Sequence, residues 1–283
     1  MTMTTTILDG KASAKAWRAE TKARVAQLAA ERQIVPTLAV VLVGEDPASQ
    51  IYVRNKIKMA KQVGIKSINK TLPTTATQEE VLAVVAELNH DPEVDGILVQ
   101  LPLPAQINEE AVLLAVDPKK DVDGFHPMNL GKLWGGQPEL VPATAAGIMR
   151  LLADYHIQVE GQNVLIIGRS LIVGRPLAGL FLAADATVTI AHSHTKNTLE
   201  LARQADIVVA AIGQANFVTA DFIKPGAVVI DVGTNRIDGH LVGDVEYTTV
   251  SQQAGFITPV PGGVGPMTIA ALLSQTTDLA EKR

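Results

Sequence analysis

Tyr52 and Lys56 stand four residues apart in a run that reads as helix, so both side chains leave the same face. An amine moved out of water is pushed toward neutrality and can then carry protons near neutral pH. On an open helix face the same pair is only a solvated surface. Gln100, inside Val99-Gln100-Leu101-Pro102-Leu103-Pro104, puts an amide at the end of an apolar strand, and the two prolines stop the ladder there. Asp121 and Asp123, in Asp121-Val122-Asp123-Gly124, add carboxylates that are either ligand anchors or turn formers. Together these are an amine, an amide to orient it, an aromatic face and a carboxylate: parts for proton handling without a metal. The six histidines show no H-E-x-x-H spacing, no Ser-His-Asp order is visible, and there is no cysteine. Thiol nucleophiles, disulfides and Cys-ligated zinc or iron–sulfur centres are therefore excluded, and no metal site is expected. His126, in the Gly124–Pro127 turn, reads as a bystander.

A second cluster suits a phosphate. Gly168-Arg169-Ser170-Leu171-Ile172-Val173-Gly174-Arg175-Pro176 links a strand to a helix. Gly168 permits a tight turn, and Gly174 lets an anion approach the backbone at a helix N-terminus. The middle glycine of G-x-G-x-x-G is missing, so an ordinary strand-to-helix turn is the alternative. The next strand ends in His192-Ser193-His194-Thr195-Lys196, with no carboxylate where an NAD site usually holds its ribose. With Arg169, that cluster suits a 2′-phosphate, which points to NADP rather than NAD; otherwise it is a polar loop with incidental histidines. Thr258-Pro259-Val260-Pro261-Gly262-Gly263-Val264-Gly265-Pro266-Met267-Thr268 cannot be a strand interior. It is either a hinge or one wall of a ligand cleft.

Short β-branched runs alternate with Ala/Leu-rich helical patterns throughout, the signature of an α/β fold with parallel sheets. The first half predicts a helix over 11–32, a strand to Gly44, a helix from about 47 to Gly64, a strand SINKTLP, a helix over 77–89, a strand over 96–102 and a helix over about 108–115. An irregular stretch follows to residue 144. The βαβ rhythm then restarts, with helix 145–156, strands at 163–168, 187–192, 206–213 and 227–233, and helices at 176–184 and 197–204. This is a Rossmann-type half. The predicted division is residues 1–143 plus 266–283 as one domain and 144–265 as a dinucleotide-binding domain, the terminal helix packing back on the first. With 283 residues, two such cores fit. A net charge of −5 and 4% aromatic residues give no basic field or stacking platform, so no nucleic-acid partner is expected. The longest apolar runs fall far short of the ~18 residues of a membrane span. The N-terminal MTMTTTILDGKASAK has neither basic nor apolar leader character, so the expected address is cytoplasmic.

Five stretches in order carry a resemblance: Tyr52-Val53-Arg54-Asn55-Lys56 after Val43-Gly44, V-Q-L-P-L-P at 99–104, D-V-D-G-F-H-P at 121–127, G-R-S-L-I-V-G-R-P at 168–176, and P-V-P-G-G-V-G-P-M-T at 259–268. Over nearly its whole length the chain resembles the bifunctional methylenetetrahydrofolate dehydrogenase/methenyltetrahydrofolate cyclohydrolase family. The resemblance implies that tetrahydrofolate one-carbon derivatives are substrates, that NADP takes the hydride, and that the protein is a homodimer through the second domain. It implies Lys56 as catalytic lysine, Gln100 as its amide partner, Tyr52 as the ring on the folate, and Asp123 rather than Asp121 as the pterin's carboxylate. Val99, Leu101, Pro261, Gly262 and Gly263 line the folate. Gly168, Arg169, Ser170, Gly174, Ser193, Gly213 and Thr234 fall at the dinucleotide. Two departures stand out: Pro142-Ala143-Thr144-Ala145 lacks the second proline common there, which leaves the helix start open, and Thr234 replaces a usual aliphatic residue. A monofunctional dehydrogenase and a catalytically silent dinucleotide-binding protein are the alternatives.

Overall fold

The computed structural model describes residues 5–283. In chain order its elements are β1 (Thr6–Ile7), α1 (Gly10–Arg32), β2 (Thr37–Val43), α2 (Pro47–Val63), β3 (Lys66–Leu72), α3 (Gln78–His90), β4 (Gly96–Val99), α4 (Glu109–Ala115), α5 (Pro127–Trp134), α6 (Ala143–Asp154), β5 (Asn163–Ile167), α7 (Gly174–Ala183), β6 (Thr187–Ala191), α8 (Thr198–Gln204), β7 (Ile207–Ala210), β8 (Val228–Asp231), β9 (Asn235–Ile237), β10 (His240–Val242), α9 (Tyr247–Val250), β11 (Phe256–Ile257) and α10 (Val264–Lys282). They form two compact units. One takes Lys15–Ala143 and Ile269–Arg283, the other the described residues up to Ala14 and Thr144–Thr268. Among the described residues no helix is long and apolar enough to cross a membrane.

The first unit is built on a parallel sheet of order β3-β2-β4. All seven residues of β2 are buried, which is why that strand reads as continuously apolar rather than alternating. Its first strand lies between the second and third, so the order reverses between β2 and β4, and groups beyond their carboxyl ends face one crevice. The register Val41↔Val99 brings those ends side by side. Gly44, at φ 90°, turns the chain off β2. Helix α2 starts where the Asp46 carboxylate accepts the Ser49 N–H at 2.7 Å ahead of Pro47, and it stops at Gly64 in the left-handed conformation. A reciprocal Thr77–Glu80 capping box opens α3, whose Val81, Val85 and Leu88 pack with Ile97 and Val99 of β4. The tail of α10 closes this unit. Arg24 of α1 pairs with Asp278 at 2.5 Å and Glu281 at 2.7 Å, and Gln275 accepts from the Val141 N–H at 3.0 Å while donating to the Val122 carbonyl at 2.9 Å.

The second unit carries a parallel sheet of order β1-β11-β8-β7-β5-β6, with the reversal between β5 and β7. Phe181 of α7 is fully buried, as are Leu165 and Ile166 of β5.

Several elements differ from the sequence prediction. The N-terminal segment, expected in the first domain, belongs to the second unit: Thr6 and Ile7 pair in parallel with Phe256 and Ile257, and Thr6 N–H and Leu8 N–H donate to the carbonyls of Gly255 and Ile257, each at 2.8 Å. Residues 1–4, counted with that domain and with the leader reading, lie outside the described residues. The stretch expected to be irregular contains α5, started by Pro127 and by His126, whose Nδ1 accepts the Met128 N–H at 3.1 Å. His126 is thus a helix cap. Helix α6 begins at Ala143 without the second proline. The pair β9 and β10 is a hairpin on Asp238-Gly239, both at positive φ (49° and 81°), a two-residue turn that the prediction missed.

Leu98 sits fully buried in β4, two residues before Gln100. Leu98→Ala is expected to destabilise the protein by ~2–5 kcal/mol, the range for a buried Leu truncation, as read from denaturant unfolding.

Candidate active site

At the carboxyl ends of β2 and β4 the structure brings Lys56, Gln100 and Asp123 together. Gln100 continues the ladder, its N–H donating to the Val41 carbonyl at 2.9 Å. Its Nε2 donates to the Leu101 carbonyl at 2.7 Å, which leaves Oε1 to accept from Lys56 Nζ at 3.0 Å. The amide therefore holds the amine through a neutral acceptor rather than a charge. The Leu101–Pro102 peptide is cis. Burial pushes the Lys56 ammonium below its ordinary pKa, while the nearby Asp123 carboxylate pulls it back up. Burial in turn raises Asp123 to about 6, with Lys56 opposing and Asp121 adding to the rise. Tyr52, one turn before Lys56 on α2, keeps 44% of its surface exposed, so its ring is available to a partner. Val99 is buried and Leu101 half-buried beneath.

The two aspartates reach this place because Asp121 bridges in parallel to Ile97 and extends the edge of β4 by one residue, with Ile97 N–H donating to the Lys120 carbonyl at 2.7 Å. Asp121 itself is occupied. Its Oδ2 accepts from the His126 N–H at 2.8 Å and from Asn129 Nδ2 at 2.9 Å. Asp123 has no hydrogen-bond or ion-pair partner among the described residues, and Gly124 at φ 69° follows it where a Cβ would strike the Val141 and Pro142 backbone. Of the pair, the carboxylate open to a ligand is Asp123.

In the second unit, the loop after β5 lies at the reversal of strand order. A Cβ at Gly168 would overlap the Ala211 carbonyl beside β7, and one at Gly174 would overlap the Gly168 carbonyl, so both glycines are required by close backbone approach. Ser170 Oγ accepts from the N–H groups of Val173 and Gly174 at 3.2 and 3.3 Å, and Arg169, Ser170 and Ser193 are exposed. After β6 the chain turns tightly, His192 N–H donating to Thr195 Oγ1 at 3.0 Å and His194 N–H to His192 Nδ1 at 3.2 Å. No carboxylate occupies that turn. A shaped glycine loop at a helix N-terminus, with hydroxyls, imidazoles and a guanidinium at its mouth, fits a dinucleotide carrying a 2′-phosphate.

Gly213 and Thr234 are exposed on loops after β7 and β8, and both loops are pinned by carboxylates that sequence reading did not single out. Asp231 accepts from the N–H groups of Gly233, Asp244 and Val245 at 3.1, 2.8 and 3.0 Å. Asp244 accepts from those of Ile212 and Gly213 at 2.7 and 3.0 Å and from Asn235 Nδ2 at 2.9 Å. The available signal was glycine beside each acid, because a Cβ at Gly243 would overlap Asp231 and one at Gly233 would overlap Asp244. Pro261, Gly262 and Gly263 also lie in this unit. The Val260–Pro261 peptide is cis, Gly262 is at φ 116° with its carbonyl accepting the Lys11 N–H at 3.1 Å, and Gly10 packs directly on Gly263.

Two family models match the chain: "Tetrahydrofolate dehydrogenase/cyclohydrolase, catalytic domain" over residues 8–123 and "Tetrahydrofolate dehydrogenase/cyclohydrolase, NAD(P)-binding domain" over residues 142–283. The bifunctional protein FolD of Streptococcus pneumoniae serotype 2 is 56% identical over 277 residues, 98% of this chain and 97% of its own length. Among solved structures, the bifunctional methylenetetrahydrofolate dehydrogenase/cyclohydrolase of Campylobacter jejuni is similar with a TM-score of 0.96 at 47% identity, covering 99% of each chain. The Trypanosoma brucei enzyme, solved with NADP cofactor and inhibitor, is similar with a TM-score of 0.95 at 39% identity over 98% of each chain.

The raised value of Asp123 carries a signed pH dependence. Its folded value of about 6 exceeds the ordinary aspartate value of about 3.9, so the folded state binds the extra proton and stability falls as pH rises between the two. Asp231, also raised to about 6 by burial, acts with the same sign. Asp123→Asn removes one of these two contributions. The melting midpoint of the variant relative to the parent is expected to be more favourable at about pH 7 than at about pH 4; an equal difference at both would mean that Asp123 titrates normally.

Proposed function

The chain belongs to the tetrahydrofolate dehydrogenase/cyclohydrolase family, and from that premise we propose that Lys56, oriented by Gln100, moves the protons in the hydrolytic half of its reaction. The family's chemistry is bifunctional: 5,10-methylenetetrahydrofolate is oxidised with NADP⁺ to the 5,10-methenyl cation, which is then hydrolysed to 10-formyltetrahydrofolate. Bound NADP⁺ supplies the two-electron acceptor for the methylene hydride.

Gly168, Arg169, Ser170, Gly174 and Ser193 hold the phosphate and ribose end of the dinucleotide, with Gly213 and Thr234 further along it; the close-packed glycine loop and the carboxylate-free turn after β6 support this. Asp123 accepts the N–H donors on the pterin's amino-pyrimidine edge, and Tyr52 gives a ring to stack on it. The support is an aspartate without a protein partner beside an aspartate with several. Val99 and Leu101 complete the folate surroundings on the first unit. Orientation is the main demand of the oxidative step, because the carbon that gives up the hydride must be held still.

Hydrolysis asks more of the protein. Water adds to the methenyl carbon and loses one proton; the carbon–N5 bond then breaks as N5 gains a proton and the new hydroxyl loses its own. A neutral Lys56 takes the first proton from the attacking water and returns it to N5, while the hydroxyl proton leaves to solvent. Only an amine whose pKa is lowered toward the working pH is free to accept in this way, and the cationic substrate lowers it further. The observation that carries this reading is the contact of Lys56 Nζ with the neutral Gln100 Oε1 at 3.0 Å in a poorly solvated place. A homodimer and a cytoplasmic setting are part of the same proposal; for the dimer, the support is that β6 stands at the outer end of its sheet.

Lys56→Met is expected to lower cyclohydrolase turnover by about 10²–10⁴, the usual scale of a general acid–base group, and to lower dehydrogenase turnover less. Loss of methenyl absorbance reports the first activity and nicotinamide absorbance the second. Intact hydrolysis in the variant would contradict the assignment.

A further inference from the structure

Buried carboxylates are costly unless every lone pair is used. The second unit nevertheless buries two, Asp231 at 3% exposure and Asp244 at 0%, at the carboxyl end of its sheet. Neither pairs with a cation among the described residues. Between them they accept five backbone N–H groups, at 212–213 after β7, at 233 after β8 and at 244–245 after β10, and the side-chain amide of Asn235, the first residue of β9. The network is anchored below, where Asp231 N–H donates to Thr258 Oγ1 at 2.7 Å, and alongside, where the Asp244 carbonyl accepts the Val218 N–H at 2.9 Å. Glycine at 233 and 243 lets each acid lie directly against backbone. An apolar core would stabilise the unit without these acids. Acceptors aimed at backbone past the strand ends instead fix the course of the chain there.

Those loops carry Gly213 and Thr234, and the first of them begins at Ala211, whose carbonyl touches Gly168 of the phosphate loop. We propose that Asp244, backed by Asp231, is a positioning residue for the dinucleotide: it holds the 211–213 and 233–235 backbone in the shape that the bound cofactor meets. The proposal rests on the reading of Gly213 and Thr234 as cofactor contacts. Asn235 extends the same network to the rim and gives a milder handle on it.

The bifunctional reaction supplies an internal control, because hydrolysis of preformed methenyltetrahydrofolate consumes no NADP⁺. In Asp244→Asn the NADP⁺ Kd from calorimetry is expected to rise by about tenfold or more, the scale of a charge-assisted hydrogen bond lost, while cyclohydrolase kcat and KM without NADP⁺ stay within about twofold. An unchanged Kd would overturn the proposal, and so would a parallel fall in both activities, which marks a merely structural role. If Asp244→Asn does not fold, Asn235→Ala takes its place, with a smaller rise in Kd at an unchanged melting midpoint of the free protein expected and an unchanged Kd overturning the proposal. Gly213→Val separates the premise: if it leaves the NADP⁺ Kd unchanged, the loop is not a cofactor wall and both readings fall. If it weakens binding while Asp244→Asn does not, only the positioning proposal fails.

Discussion

Taking an ammonium out of water without giving it a matched counter-ion is the constraint on which the first unit turns. Lys56 meets the carbonyl oxygen of Gln100 and, at longer range, a carboxylate that burial has itself brought toward neutrality. A tight ion pair would fix the lysine as a permanent cation. The neutral acceptor leaves it able to take and release a proton. That balance needs each group to be placed by rigid structure: α2 is fixed at both ends by the Asp46 cap and Gly64, Gln100 by its own ladder hydrogen bond, and Asp123 by the single bridge residue Asp121 at the edge of β4.

The second unit solves a related problem with the charges reversed. Its loops must approach one another closely and leave donors free for an anionic ligand. Gly168 and Gly174 allow the approach, while Asp231 and Asp244 gather the remaining backbone N–H groups inward. In both units the working groups lie past the carboxyl ends of parallel strands at the point where strand order reverses, which is where an open α/β sheet leaves a crevice.

Legibility in the sequence followed the range of the interactions. Local signals were readable: the unbroken apolar run of β2, the Asp46-Pro47 start and Gly64 stop of α2, and Thr77 opening α3. The four first-unit candidates were legible as residue types at strand ends and helix spacing, and the family resemblance supplied their roles. Strands β1 and β11 were not, because two residues carry no period and their pairing spans most of the chain. The Asp238-Gly239 turn and the His126-Pro127 helix start do carry local signals, an Asp-Gly pair and a proline at the first helical position. Asp231 and Asp244 were hidden for a physical reason. An acid beside glycine normally forms a turn, and only the tertiary meeting of three loops turns these two into buried acceptors.

The most direct test of the account is the titration of Lys56 itself, followed by NMR of its labelled ε-carbon and ζ-nitrogen in the free protein, with Lys56→Met to assign the signal. A midpoint well below the ordinary lysine value of about 10.4 is predicted, moving lower still in Asp123→Asn, where the neighbouring carboxylate no longer favours the ammonium. A midpoint at or above the ordinary value would contradict the claim that burial against a neutral amide poises this amine for proton transfer.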